Sequence, residues 1–261
     1  MGAQTTGPLA ATNAVYAKAD LMGVLARLDW RPGLCLVAGE LSVGRTAALA
    51  VRLRAGQRYA FVASAATEVV DLDLYLRDPQ DAVVKRDTAA DGTPVLEYTP
   101  LMSGTHLLQL TLVSGAAPEA DVALALLTER GIPLPRNAYR AVIDGFTTTT
   151  TAGRGEPARS RWTSSADHWR VYGFQLGPEE GSSLDLPQSA GAERVFAAVA
   201  AAPVKDIDLY LANAQSAIIA SDETSSPRAV VSTVTAGPLR LRVQRGRGRL
   251  PAFVLLGVFE K

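Results

Sequence analysis

Two aspartates, Asp71 and Asp73, are the first side chains in this chain whose type and spacing could do chemistry. On an extended strand, residues i and i+2 share a face and lie about 7 Å apart. Asp87 follows, with Asp78, Asp81 and Asp91 in the same stretch. Carboxylates so grouped offer oxygen ligands to calcium, which takes roughly six to eight. The plainer alternative is a wet strand face whose carboxylates keep it soluble or accept hydrogen bonds from neighbouring loops.

Other candidates lie further along. Trp162 and Trp169 flank a polar segment. An indole there could stack on a sugar ring or anchor an interface, or it could cap a core, the reading favoured for Trp169. Arg240 and Arg242 alternate with Leu239, Leu241 and Val243, so they face solvent from a strand. With Arg245, Arg247 and Arg249 they form a basic stripe, suited to a polyanion contact or to a solvated hairpin. Only two histidines occur. His106 suits a packing role. His168 has Ser164 and Ser165 close by on one segment, whereas a catalytic triad needs groups converging from separate elements. No His-Glu-x-x-His, phosphate-binding loop or Gly-x-Ser-x-Gly is present. The expectation is a protein that is not an enzyme and carries no cofactor, with calcium the one open case.

Charge narrows the partners. Lys+Arg and Asp+Glu balance at 26 each, which argues against a nucleic-acid binder and removes a barrier to self-association. Cys35 is the sole cysteine, so no internal disulfide forms. No apolar run reaches the ~18 residues of a transmembrane helix. The first residues lack a basic and an apolar leader region. That fits a cytosolic protein, or an exported one whose signal peptide has been removed.

The elements that must position these residues come twice. Asp71-Leu-Asp-Leu-Tyr-Leu76 returns as Asp206-Ile-Asp-Leu-Tyr-Leu211, and the match runs without a gap from Phe61–Asp87 to Phe196–Asp222, with 13 of 27 positions identical. A period of that length is a whole small domain. Strict alternation at Val69–Leu76 reads as a half-buried strand. Short apolar stretches between Gly, Pro and Asp turns read as an antiparallel sandwich. Ala11 to Trp30 reads as an amphipathic helix, with Val15, Ala19, Leu21, Met22, Leu25 and Leu28 as its stripe, and without a counterpart in the second repeat. Gly131–Pro135 reads as a rigid connector and Ala141–Phe146 as the first strand of the second unit. The five threonines Thr147 to Thr151 either extend that strand or belong to a mobile loop. The expected division is 1–33 helix and lead-in, 34–128 first sandwich, 129–140 connector, 141–261 second sandwich.

The stretch Asp71–Val84, then Asp87, then Tyr98-Thr-Pro-Leu-Met-Ser-Gly-Thr105 resembles the bacterial pre-peptidase C-terminal domain family, with its D-x-D-L-x-L strand, D-P-x-G-like turn, V-x-x-D return and S-G-T-Y strand start. The second repeat keeps Asp206–Leu211 and Asp222 but departs at Asn213-Ala214. The resemblance implies an all-β chain of two tandem jelly-roll-like sandwiches behind an N-terminal α-helix. It also implies a secreted, periplasmic or cell-surface setting. The function expected is that of a non-enzymatic structural or self-assembling envelope protein, partnered by its own copies or by another envelope component. The alternative is an accessory module of a secreted hydrolase system that binds polysaccharide or protein.

Overall fold

Period-two alternation puts one face of a strand in the core, and it does so in both repeats. Leu72, Leu74 and Leu76 are fully buried, as are Ile207, Leu209 and Leu211. The computed structural model describes residues 7–66, 70–152, 157, 160–163, 169–177, 181–189, 192–200, 203–246 and 251–261. The first repeat comprises α1 (Gly7–Ala26), β1 (Asp29–Trp30), β2 (Gly33–Ser42), β3 (Thr46–Leu53), β4 (Tyr59–Ala65), β5 (Val70–Arg77), β6 (Val83–Asp87), β7 (Val95–Tyr98), β8 (Gly104–Gly115) and β9 (Glu119–Thr128). The second comprises α2 (Arg136–Thr147), a π turn over Thr148–Ala152, β10 (Arg161–Trp162), β11 (Trp169–Leu176), β12 (Gly181–Ser189), β13 (Arg194–Ala200), β14 (Ile207–Ala212), β15 (Ile218–Asp222), β16 (Arg228–Thr233), β17 (Gly237–Arg245) and β18 (Ala252–Glu260). The fold is an all-β sandwich of antiparallel sheets with two helices, and no helix among the described residues is long and apolar enough to cross a membrane.

One large sheet runs through the molecule in the order β16-β13-β18-β11-β2-β9-β4-β7. Two four-stranded sheets, β3-β8-β5-β6 and β12-β17-β14-β15, lie on one face of it. The order is palindromic: outward from the middle, β2-β9-β4-β7 matches β11-β18-β13-β16 strand for strand. The matching strands β2 and β11 pair with each other, antiparallel, at Gly39 and Trp169. A pseudo-twofold axis therefore passes between them. The two repeats do not keep separate interiors. One apolar cluster runs from Leu72, Leu110 and Phe61 through Val37, Trp169 and Tyr172 to Leu209, Leu241 and Phe196.

The helices cover the other face. Small residues Ala11, Val15 and Ala19 of α1 are fully buried in one cluster with Ala38, Ala60, Ala123 and Ala125 of the sheet, and side chains that short let helix and sheet approach closely. Tyr16 stacks on Trp30 at 5.5 Å. The expected stripe is partly wrong. Leu21 and Leu25 are 61% and 73% exposed, because the face is set by Ala, Val and Tyr rather than by the leucines. The helix ends at Ala26, with Arg27 at φ 56°, and Trp30 belongs to β1.

The expected strand at Ala141–Phe146 is helix α2, so α1 does have a counterpart. Tyr139, Val142 and Phe146 are buried at helical spacing. The threonines neither extend a strand nor form a plain loop. The hydroxyls of Thr148, Thr149 and Thr150 donate to the carbonyls of Asp144, Gly145 and Phe146, four residues back. Such back-bonding suits β-branched residues to a widened helical turn. Strand β12 escaped the sequence reading, since Gly181-Ser-Ser-Leu-Asp-Leu-Pro-Gln-Ser189 carries turn residues.

Candidate binding cleft

The aspartates are engaged by the fold. Asp87 Oδ1 accepts the Ala89 N–H and Oδ2 accepts the Val95 N–H, 2.9 Å away. Its repeat mate Asp222 accepts the Thr224 and Val230 N–H groups in the same way; against burial, which raises it, the Thr224 hydroxyl at 2.7 Å and then these two N–H groups hold its carboxyl below the usual range. Asp78 Oδ1 accepts the Gln80 and Ala82 N–H groups. Asp73 Oδ2 accepts the Tyr75 hydroxyl at 3.0 Å, which raises the Tyr75 pKa. Asp71 Oδ1 and the equivalent Asp206 Oδ1 are enclosed without a hydrogen-bond partner. Among the described residues, no three His, Cys, Asp or Glu side chains come together in a set able to hold a metal ion. Asp71, Asp73 and Asp87 as arranged do not fit calcium.

The structure separates the two tryptophans. Trp162 is half-buried on the helix side of the large sheet, stacked between Phe259 at 4.5 Å and Phe146 at 6.2 Å. It is the repeat mate of Trp30, since Trp162 pairs with Phe259 as Trp30 pairs with Leu127. Trp169 faces the sandwich interior, 3% exposed. Its Nε1–H donates to Ala48 O of the first repeat at 2.8 Å. It caps a core, as favoured, and it also ties the repeats together.

Arg240 and Arg242 are exposed. Arg240 forms a two-pronged pair with Asp185, at 2.7 and 3.2 Å. Arg245 breaks the stripe: its side chain points inward and is 4% exposed. Arg247, Arg249, His168, Ser164 and Ser165 lie outside the described residues. His106 is buried beside Tyr98, 5.8 Å between ring centres.

Trp169 floors a cleft of about 440 Å3 that opens between the two small sheets, at the pseudo-twofold axis. Strand β3 forms one wall from Ala48 to Arg52 and β12 the other from Ser182 to Asp185. Leu34 and Tyr172 complete the floor, and Arg31 stands at one end. Register makes Leu34 the mate of Trp169 and Ala50 the mate of Asp185. Both walls are sheet edges: among the described residues β3 pairs only with β8 and β12 only with β17. Arg31 donates to Leu34 O at 2.7 Å and to Arg52 O at 3.3 Å. Burial lowers its pKa, and the groups that act on it are Tyr59, Cys35 and Arg54, none of them a carboxylate. Sequence reasoning missed Arg31 and both edges.

A second groove, of about 450 Å3, lies between α1 and α2. Its Tyr16 and Tyr139 stack at 3.8 Å. Their hydroxyls donate to Leu134 O and Asn13 Oδ1, so this groove is the seam between two helices.

No protein-family model matches the chain, and no curated protein matches it. Solved structures that superpose in part include PliG of Aeromonas hydrophila, a periplasmic lysozyme inhibitor of g-type lysozyme. It is 14% identical over 37% of this chain and 87% of its own, with a TM-score of 0.31. The tandem CBM22 domains of Paenibacillus barcinonensis Xyn10C are 10% identical over 88% and 99%, with a TM-score of 0.23. The PBSX exported protein XepA is 9% identical over 85% and 84%, with a TM-score of 0.28. At these scores the likenesses carry no argument about function, and the sandwich stands on its own strand pairings.

Proposed function

We propose that this chain is a non-enzymatic, exported binding protein whose working surface is the central cleft. One observation carries the reading: among the described residues, two strand edges face each other across a hollow of mixed polarity, floored by Leu34, Trp169 and Tyr172, at the junction of the repeats. Binding sites favour such concave junctions with a few polar groups at the rim. Export rests on the resemblance of Asp71–Thr105 to pre-peptidase C-terminal domains. The test uses the fluorescence of Trp169, titrated with extended peptides and with xylan and chitin oligosaccharides. One class should produce a saturable change that Ser182→Tyr, which fills the cleft, removes. A protein that binds none of them, or binds equally well with the cleft filled, contradicts the reading.

A second reading, self-assembly, is supported by the neutral net charge and by Leu21, Val24 and Leu25 standing exposed together on α1. Light scattering should then show an oligomer that Val24→Glu dissolves. A monomer at every concentration sinks it.

A further inference from the structure

We propose that the cleft receives an extended peptide segment, which pairs with the free edge of β3 around Ala50 and brings an acidic side chain to Arg31 and Arg52. This rests on the reading of the cleft as the binding surface and names its occupant.

The backbone of β3 shows which residues can pair. Arg45 O bonds to Leu112 N on the β8 side, so odd-numbered residues turn their backbone groups into the ladder. Ala48 O and Arg52 O are reached from the cleft by Trp169 and Arg31. Even-numbered residues therefore turn outward, and Ala50, between them, presents both its N–H and its C=O to the cleft. Two outward groups on one residue are what an antiparallel partner residue exchanges bonds with.

Natural sheets blunt their edges, and the other edges of the small sheets are blunted. Register shifts interrupt the pairing of β6 with β5 between Lys85 and Val83, of β15 with β14 between Ala220 and Ile218, and of β12 with β17 between Leu186 and Ser189, past six consecutive pairs. Strand β3 runs through eight consecutive pairs with β8 without a shift. Its outward side chains Thr46, Ala48 and Ala50 are small. Among the described residues, β12 stands opposite it and the large sheet lies beneath.

Charge selects among peptides. Arg31, Arg52 and Arg54 gather at one end of β3, and no carboxylate is among the groups that act on Arg31. An acidic side chain would complete that end. A sugar fits poorly, because the Trp169 ring is 3% exposed and offers no stacking face.

The test uses the whole protein and capped synthetic peptides matching β3 in length. They alternate valine and threonine and carry two aspartates at either end. Controls replace aspartate with lysine, or methylate alternate backbone nitrogens. Backbone hydrogen exchange is read by NMR. An acidic peptide should slow exchange of the Ala50 amide about tenfold or more, and both controls should bind about tenfold more weakly or worse. Ala50→Pro removes only an outward N–H, so it should abolish binding at an unchanged melting temperature. Should that variant fold poorly, Arg52→Glu should still weaken the acidic peptide and not the lysine one. Binding without protection at Ala50, or indifferent to peptide charge, overturns the proposal, as does protection that grows with protein concentration alone. Oligosaccharide binding without peptide binding overturns the proposal and leaves the cleft reading standing. No binding of any probe overturns both.

Discussion

Asp78 and Asn213 occupy the same corner of the two repeats and do the same work with different charge. Asn213 Oδ1 accepts the Gln215 and Ala217 N–H groups, as Asp78 Oδ1 accepts those of Gln80 and Ala82. Asp81 and Ser216 then take φ 66° and 62°. An acceptor is needed there and a charge is not. Asp78→Asn should change stability by less than about 0.5 kcal/mol, whereas Asp87→Ala, which strands the Val95 N–H, should cost about 1–3 kcal/mol. Urea unfolding measures both. Equal losses would mean that charge, not geometry, is what these corners use. The sequence displays the carboxylates but hides the backbone donors they serve, which is why their repetition suggested calcium. The buried leucines were legible because alternation is a property of the chain alone, and Leu74→Ala or Leu209→Ala should cost about 2–5 kcal/mol. Cys35 is fully buried and its thiol is pushed up to about 12. The thiolate is the reactive form, so at pH 8 a thiol reagent should label Cys35 only as fast as the protein unfolds. Rapid labelling of the native state would contradict the burial.

At the scale of elements, strands with clean alternation were readable, and α2 and β12 were not. Helix α2 offers Tyr139, Val142, Ile143 and Phe146 before a run of β-branched threonines, a weak helical signal against strong β-propensity. Tertiary contact decides it. Phe146 is fully buried, and a Cβ on Gly257 of β18 would lie 2.5 Å from its ring. Gly257→Ala should therefore cost about 1–3 kcal/mol by overpacking, seen as a lower urea midpoint with an unchanged slope. No loss would mean that α2 does not sit on β18. Deleting residues 1–30 should bare the alanine face of Ala38, Ala60, Ala123 and Ala125. Because β2 also pairs with β11, the loss should reach the second repeat instead of stopping at the first.

The whole molecule depends on the pairing of β2 with β11. Duplication was plain from the repeated Asp-x-Asp-Leu-Tyr-Leu, but the manner of joining was not, since nothing in either copy alone marks its first strand as the partner of its twin. The joining merges two interiors and leaves β3 and β12 facing across the cleft, so the cleft exists only if the repeats behave as one body. Native-state hydrogen exchange in rising urea, followed at the amides of Leu74 and Leu209, measures this directly. One cooperative body predicts that both amides merge into a single opening reaction with the same free energy and the same urea slope. If the Leu209 amide opens in its own transition while Leu74 stays protected, the repeats are independent, and the cleft is not a fixed feature of the fold.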